Sequence, residues 1–129
     1  MPSRHEPAET YVDEYRNIET NQTIRVSDDG TQMPGPGMLS QLLVRARTGD
    51  FRVRIATDTA TIVEDSFDDL LPVAEDLEHI TAYRDSEMSV VTVSNYPYKG
   101  YVSVAVDPIG KVTFERIRGE FILGTPVTF

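Results

Sequence analysis

From Leu39 onward the chain alternates large apolar and polar side chains with a period of two. In "FRVRIA" (51–56), Phe51, Val53 and Ile55 fall on one face and Arg52 and Arg54 on the other. In "YVSVAVD" (101–107), Val102, Val104 and Val106 share a face. A strand with one side on a core satisfies this rhythm; a helix, whose faces repeat every 3.6 residues, does not. The same rhythm recurs in "TATIVED" (59–65), "HITAYR" (79–84), "SVVTVSN" (89–95) and "KVTFERIRG" (111–119). In "HITAYR", Ile80 and Ala82 alternate with Thr81 and Tyr83.

Turn chemistry orders these runs. "DPIG" (107–110) carries Pro at the second and Gly at the fourth position of a type I turn, so 101–107 and 111–119 are expected to form a hairpin. "YPYKG" (96–100) reads as a second, looser connection. One helix interrupts the strands. Phe67, Leu70, Leu71, Ala74 and Leu77 fall at helical spacing. Pro72 is tolerated only in a first turn, so the helix is expected to start near Leu70 with Asp68 or Asp69 as its cap.

Residues 1–38 differ from the rest. They hold few large apolar side chains and end in "MPGPGM", which can continue neither a helix nor a central strand. The expected division is an extended N-terminal arm and Pro/Gly linker over 1–38, with one short strand at "QTIRV", and a β-rich domain over 39–129. The whole reads as a mainly β protein: an antiparallel β-sandwich or partly open barrel of about seven strands with one short helix. At 129 residues a single core needs no metal or disulfide staple, and the absence of cysteine removes disulfides, thiolate sites and thiol nucleophiles. No apolar run approaches a membrane span, and the N-terminus lacks the basic start and apolar stretch of a cleaved signal. The expectation is therefore a soluble protein that is not exported by a cleaved signal and has no membrane partner.

Charge supplies the functional question. The net charge is −9, and of the twelve basic residues only Lys99 and Lys111 are lysine. This acidic, lysine-poor balance resembles proteins of salt-loving archaea. Yet Arg45, Arg47, Arg52 and Arg54 are concentrated in "QLLVRARTGDFRVRIATD" (41–58). With a two-residue turn at Gly49-Asp50, Arg47 would face Arg52 and Arg45 would face Arg54, all on one strand face. Facing like charges destabilise a strand pair, so acids or anions must cover them.

Three readings follow. Local acids such as Glu115 and Glu120 could neutralise a solvated face. Arginines suit phosphate, so the face could hold an anionic ligand or nucleic acid; the acidic whole and the lack of interleaved aromatics disfavour nucleic acid. Or the face could meet an acidic segment of another subunit. The chain supplies one in Glu64, Asp65, Asp68, Asp69, Glu75, Asp76 and Glu78.

Catalytic signals are weak. The histidines are His5 and His79, and a Ser-His-Asp triad would need His79 with Ser86 or Ser94, without a nucleophile elbow. His79 reads as a partner of a helix C-terminus, and "EDSFDD" lacks the spacing and glycine of an EF-hand loop. Tyr96, Tyr98 and Tyr101 form either a contact patch or hairpin-end packing, the second being favoured. No cofactor, catalytic residue or metal ligand is expected.

The layout resembles that of small virion proteins of tailed viruses, tail or capsid-associated, which combine a β-sandwich, a flanking helix and an arm. The resemblance is architectural and carries no motif. It implies a non-enzymatic structural subunit acting by self-assembly, as a homo-oligomer with other structural subunits, in the virion or host cytoplasm; the salt-adapted composition would make the host a halophilic archaeon. The alternative is a small cytoplasmic binding module using the Arg-rich face for an anionic ligand or nucleic acid.

Overall fold

The computed structural model describes residues 9–27 and 33–124. Among them run ten strands: β1 (Glu9–Thr20), β2 (Ile24–Arg25), β3 (Met33–Pro34), β4 (Gly37–Ala46), β5 (Phe51–Thr57), β6 (Thr61–Ser66), β7 (Ile80–Asp85), β8 (Met88–Tyr98), β9 (Tyr101–Pro108) and β10 (Val112–Leu123). They build two antiparallel sheets. The first has the order β1-β10-β4-β8-β7; the second has β2-β9-β5-β6, with β3 also pairing β9. The fold is mainly β and sandwich-like, as the alternation requires.

The core lies between the sheets. Phe51, Val53, Ile55, Val102, Val104 and Val106 face inward from the second sheet. Leu39, Leu42, Val44, Val91, Val93, Phe114, Ile117 and Phe121 meet them from the first. Phe51 sits 5.7 Å from the ring of Phe67 and 5.8 Å from that of Phe114. Each such buried side chain contributes about 1.5–3 kcal/mol relative to exposure.

The connections differ from expectation. The chain changes sheet at 21–23, 35–36, 47–50, 67–79, 99–100 and 109–111. The "DPIG" turn therefore does not close a hairpin: β9 lies in one sheet and β10 in the other. A turn motif reverses the chain but does not dictate hydrogen bonding between the flanking strands. Only β5–β6 and β7–β8 are hairpins of consecutive strands within one sheet among the described residues.

The arm and linker also require correction. Residues 9–20 form an edge strand of the first sheet, paired with β10 from Glu9↔Leu123 to Thr20↔Val112. Tyr11, Tyr15 and Ile18 pack against the core from it. Asn17, at φ 50°, breaks the two-residue phase between Tyr15 and Ile18. Tyr11 and Tyr15 hydroxyls donate to the carbonyls of Ser27 and Arg25, and Asp13 accepts from the Ser27 amide, sewing β1 to the neighbouring sheet. The "PGPG" stretch is a crossover into β4, not a linker between domains. Residues 1–8 lie outside the described residues.

The helix, α1 (Phe67–Leu70), is one turn long. Its cap is Ser66, whose hydroxyl accepts from the Asp69 amide, rather than Asp68 or Asp69. Pro72 stands after this turn instead of inside it, because its ring and missing N–H prevent continuation. A short 3₁₀ turn at Ala74–Asp76 then carries the chain along the open flank to β7. No helix among the described residues is long and apolar enough to cross a membrane.

Candidate interaction surface

The four sequence-adjacent arginines are separated: Arg45 lies on β4 of the first sheet, Arg52 and Arg54 on β5 of the second, and Arg47 in the crossover between them. β4 and β5 do not pair, so Arg47 does not face Arg52 and Arg45 does not face Arg54. The 47–50 connection is a crossover, not the tip of a hairpin. The alternation itself holds: Val44, Ala46, Val53 and Ile55 are buried.

Arg45 lies on the outer face of the first sheet. Its Nε is 3.0 Å from Glu115 Oε1 and its Nη1 is 3.4 Å from Asp85 Oδ2. The Nε contact is off the N–H direction, so it is a charge contact rather than an aligned hydrogen bond. The same face continues into a mixed ladder on β1 and β10. Arg16 and Arg116 stand opposite each other, and Glu14 accepts from both. The bond from Arg116, more than any other cause, holds the Glu14 carboxyl below its ordinary range.

Arg54 lies on the outer face of the second sheet, opposite Ala105 on one side and Glu64 on the other. Its Nε donates to Asp107 Oδ2 and its Nη2 to Asp107 Oδ1 at 3.0 Å, a two-pronged pair. Thr23 also donates to Asp107, at 2.6 Å. Burial pushes the Asp107 carboxyl up, but the Arg54 and Thr23 bonds outweigh it and hold it below the usual aspartate value. Arg25, which sequence reasoning did not single out, joins this face opposite Ala105. Its outward direction was legible from Ile24 and Val26; its neighbours were not.

Arg47 and Arg52 are exposed, and neither has an ion pair within 4 Å among the described residues. Arg52 stands across from Asp107 and from Ser66, the cap of α1. The acids Glu64, Asp65, Asp68, Asp69, Glu75, Asp76 and Glu78 are all exposed. Two of them are engaged: Asp68 lies 3.6 Å from Arg84, and Glu78 lies 3.7 Å from His79. Arg84 also sits over the Phe67 ring at 5.2 Å. Val73 and Leu77, large apolar residues on the same flank, are 46% and 40% exposed.

The two charged regions are neighbours. A side chain at Gly49 would come within 2.8 Å of the Phe67 ring and 3.2 Å of the Asp68 carboxylate. The 47–50 crossover therefore rests on the start of the acidic segment. Beside it runs the 109–111 crossover, tied by the Ile109 amide to the Asp50 carbonyl at 2.8 Å.

The other candidates are placed as follows. His79 Nδ1 lies 3.1 Å from the Ser94 carbonyl oxygen, not its hydroxyl, and its ring meets Tyr96 edge-on at 5.5 Å. Ser86 lies in the β7–β8 turn, at the far end of the same two strands. Tyr98 is buried and donates to the Pro34 carbonyl, and Tyr96 packs on the core. Among the described residues no three His, Asp or Glu converge to hold a metal ion. An open cleft of about 390 Å³ runs between β1 and β2, with Tyr15, Ile24 and Arg25 on its walls. No family model matches the chain, and no curated protein or solved structure shows a significant match to it.

Proposed function

We propose that the chain is a structural subunit that works by self-assembly, as a tail or capsid-associated virion component of a tailed virus of a halophilic archaeon. The observation that carries the reading is the juxtaposition of unneutralised charge. Among the described residues Arg47 and Arg52 have no ion pair, and they border an acidic segment in which Asp65, Asp69, Glu75 and Asp76 have none either. Exposed Val73 and Leu77 give that segment apolar area to bury against a partner. The viral and halophilic parts rest on the layered sandwich and on the acidic, lysine-poor composition. They no longer draw on a long arm, because residues 9–20 belong to the sheet.

A second reading keeps a specific observation. Arg25, Arg52 and Arg54 share the outer face of the second sheet, which suits an anionic ligand. Asp107 and Glu64 on the same face work against it. Sedimentation of the full chain, alone and with single-stranded DNA, separates the two. Self-association that is lost in the Arg47→Glu, Arg52→Glu double variant, with the β circular-dichroism spectrum retained, supports assembly. A monomer whose mass changes only with added DNA, and not in that variant, replaces it with the binding module.

A further inference from the structure

We infer that the end of the sandwich carrying the 47–50 and 109–111 crossovers is a two-fold contact surface for a second copy of this chain. The inference rests on the assembly reading above and changes its geometry. Opposite patches on separate sides of a molecule join head to tail and build rings or filaments. Here the opposite patches lie side by side on one end. A surface of that kind closes on itself, because a two-fold rotation lays each positive half on the negative half of the partner.

The end is graded in charge. Arg47 and Lys111, both exposed, come from the two central crossovers. Lys111 is one of only two lysines in the chain, so two of its twelve basic residues are spent here. Toward α1 and the β7–β8 turn the surface becomes acidic, through exposed Asp68, Asp69 and Glu87. Asp50 lies in the same crossover as Arg47. Beside Lys111, in the same 109–111 crossover, stands Ile109, 59% exposed and the most exposed large hydrophobic side chain among the described residues. It is held in place by the bond from its amide to the Asp50 carbonyl, so its apolar side chain is presented on an ordered backbone. A two-fold axis between the 47–50 crossover and α1 brings Arg47, Lys111 and Ile109 over the partner's acidic half.

Salt discriminates between contributions to such a contact. At 1 M the Debye length is about 3 Å, so only touching charge pairs keep their effect while apolar contact persists. The contact is therefore anchored by Ile109 and given its register by charge.

Sedimentation equilibrium of the full chain across concentration tests the inference. The expected mass stops at two 14.5 kDa copies. Ile109→Asp, and separately Arg47→Glu with Lys111→Glu, should raise the dissociation constant about tenfold or more. Lys99→Glu, in the β8–β9 crossover, should leave it unchanged. Mixing the Arg47→Glu, Lys111→Glu chain with an Asp50→Lys, Asp69→Lys chain should recover a pair of one copy each. Thermal melting of every variant separates lost contact from lost fold. A mass that keeps growing past two copies overturns the two-fold geometry and leaves assembly standing. A two-copy species indifferent to all these substitutions overturns this face alone. A monomer at every concentration overturns both the inference and the assembly reading beneath it.

Discussion

The two ends of the sandwich are built from the same device, chain crossing between sheets, but they spend their polar groups differently. At the end formed by the 35–36 and 99–100 crossovers and the 58–60 hairpin turn, these connections bind one another. The Gly35 amide donates to the Gly100 carbonyl at 2.8 Å, and the Gly124 amide to the Pro36 carbonyl at 2.8 Å. Asp58 accepts from the Gly100 and Tyr101 amides, and Tyr98 donates to the Pro34 carbonyl. At the other end, Arg47, Asp50 and Lys111 point their charges at solvent. At the first end side chains help the main chain close the fold; at the second the main chain ties the crossovers, Ile109 amide to Asp50 carbonyl, and the charged side chains are left exposed.

The contrast concerns rims, not interiors. Phe67 is fully buried beneath the 47–50 crossover, against Phe51, with Arg84 over its ring. Phe67→Ala should cost about 3–5 kcal/mol, the largest effect expected of any substitution at the charged end. Chemical denaturation measures it. A cost under about 1 kcal/mol would mean that this end is loose throughout, and the comparison would fail.

At the closed end, space is the lever. A Cβ on Gly35 would come within 2.2 Å of the Lys99 carbonyl oxygen, a backbone atom that cannot swing aside. Gly35→Ala should therefore destabilise by about 1–3 kcal/mol through overpacking. Gly110, in the open end, has nothing within 4 Å of such a Cβ; its φ of 79° is its only constraint.

Asp58 sharpens the comparison through pH. The Gly100 amide bond, ahead of the smaller contribution from Tyr101 and against a burial effect that raises it, holds its carboxyl below the ordinary aspartate value. A group whose folded pKa is depressed stabilises the fold above its unfolded pKa, about 3.9, and loses that contribution as pH falls through the folded value. Asp58→Asn should lower the melting midpoint at pH 7, and the gap from the parent chain should narrow by pH 3. A gap that stays constant with pH would assign the effect to geometry rather than to the carboxylate charge.

Much of this fold was legible from alternation, because burial of one face leaves its mark on every second residue. The strands around Phe51–Ile55 and Val102–Val106 stand where that pattern placed them. Sheet membership was not legible. Asp107–Gly110 has the same turn chemistry whether the next strand pairs with the last or crosses to the other layer. That ambiguity carried the error about Arg47 and Arg52, whose assumed hairpin is a crossover. β1 was hidden for a different reason: the change of phase at Asn17 and its position at a sheet edge leave it without a two-residue signature. The acidic segment was legible as exposed, but its neighbour, the 47–50 crossover, was not, since contact between them depends on which sheet each strand joins.

The smallest expected effect is the one that most sharply separates the two ends. Arg47→Ser, Lys111→Ser and Ile109→Ser remove side chains that are exposed and, for the two bases, free of ion pairs among the described residues. Each main chain keeps its role: the Arg47 amide still reaches the Thr113 carbonyl and the Ile109 amide the Asp50 carbonyl. No buried group loses a partner and no cavity opens, so each change should move stability by less than about 0.5 kcal/mol. The measurement must be made at a concentration where the chain is monomeric, since association stabilises whatever folds it joins. Under that condition, indifferent stability beside altered association identifies a surface kept for contact. A loss above about 1 kcal/mol in the isolated chain would instead make the charged end part of what holds the sandwich together, and the difference between the ends would vanish.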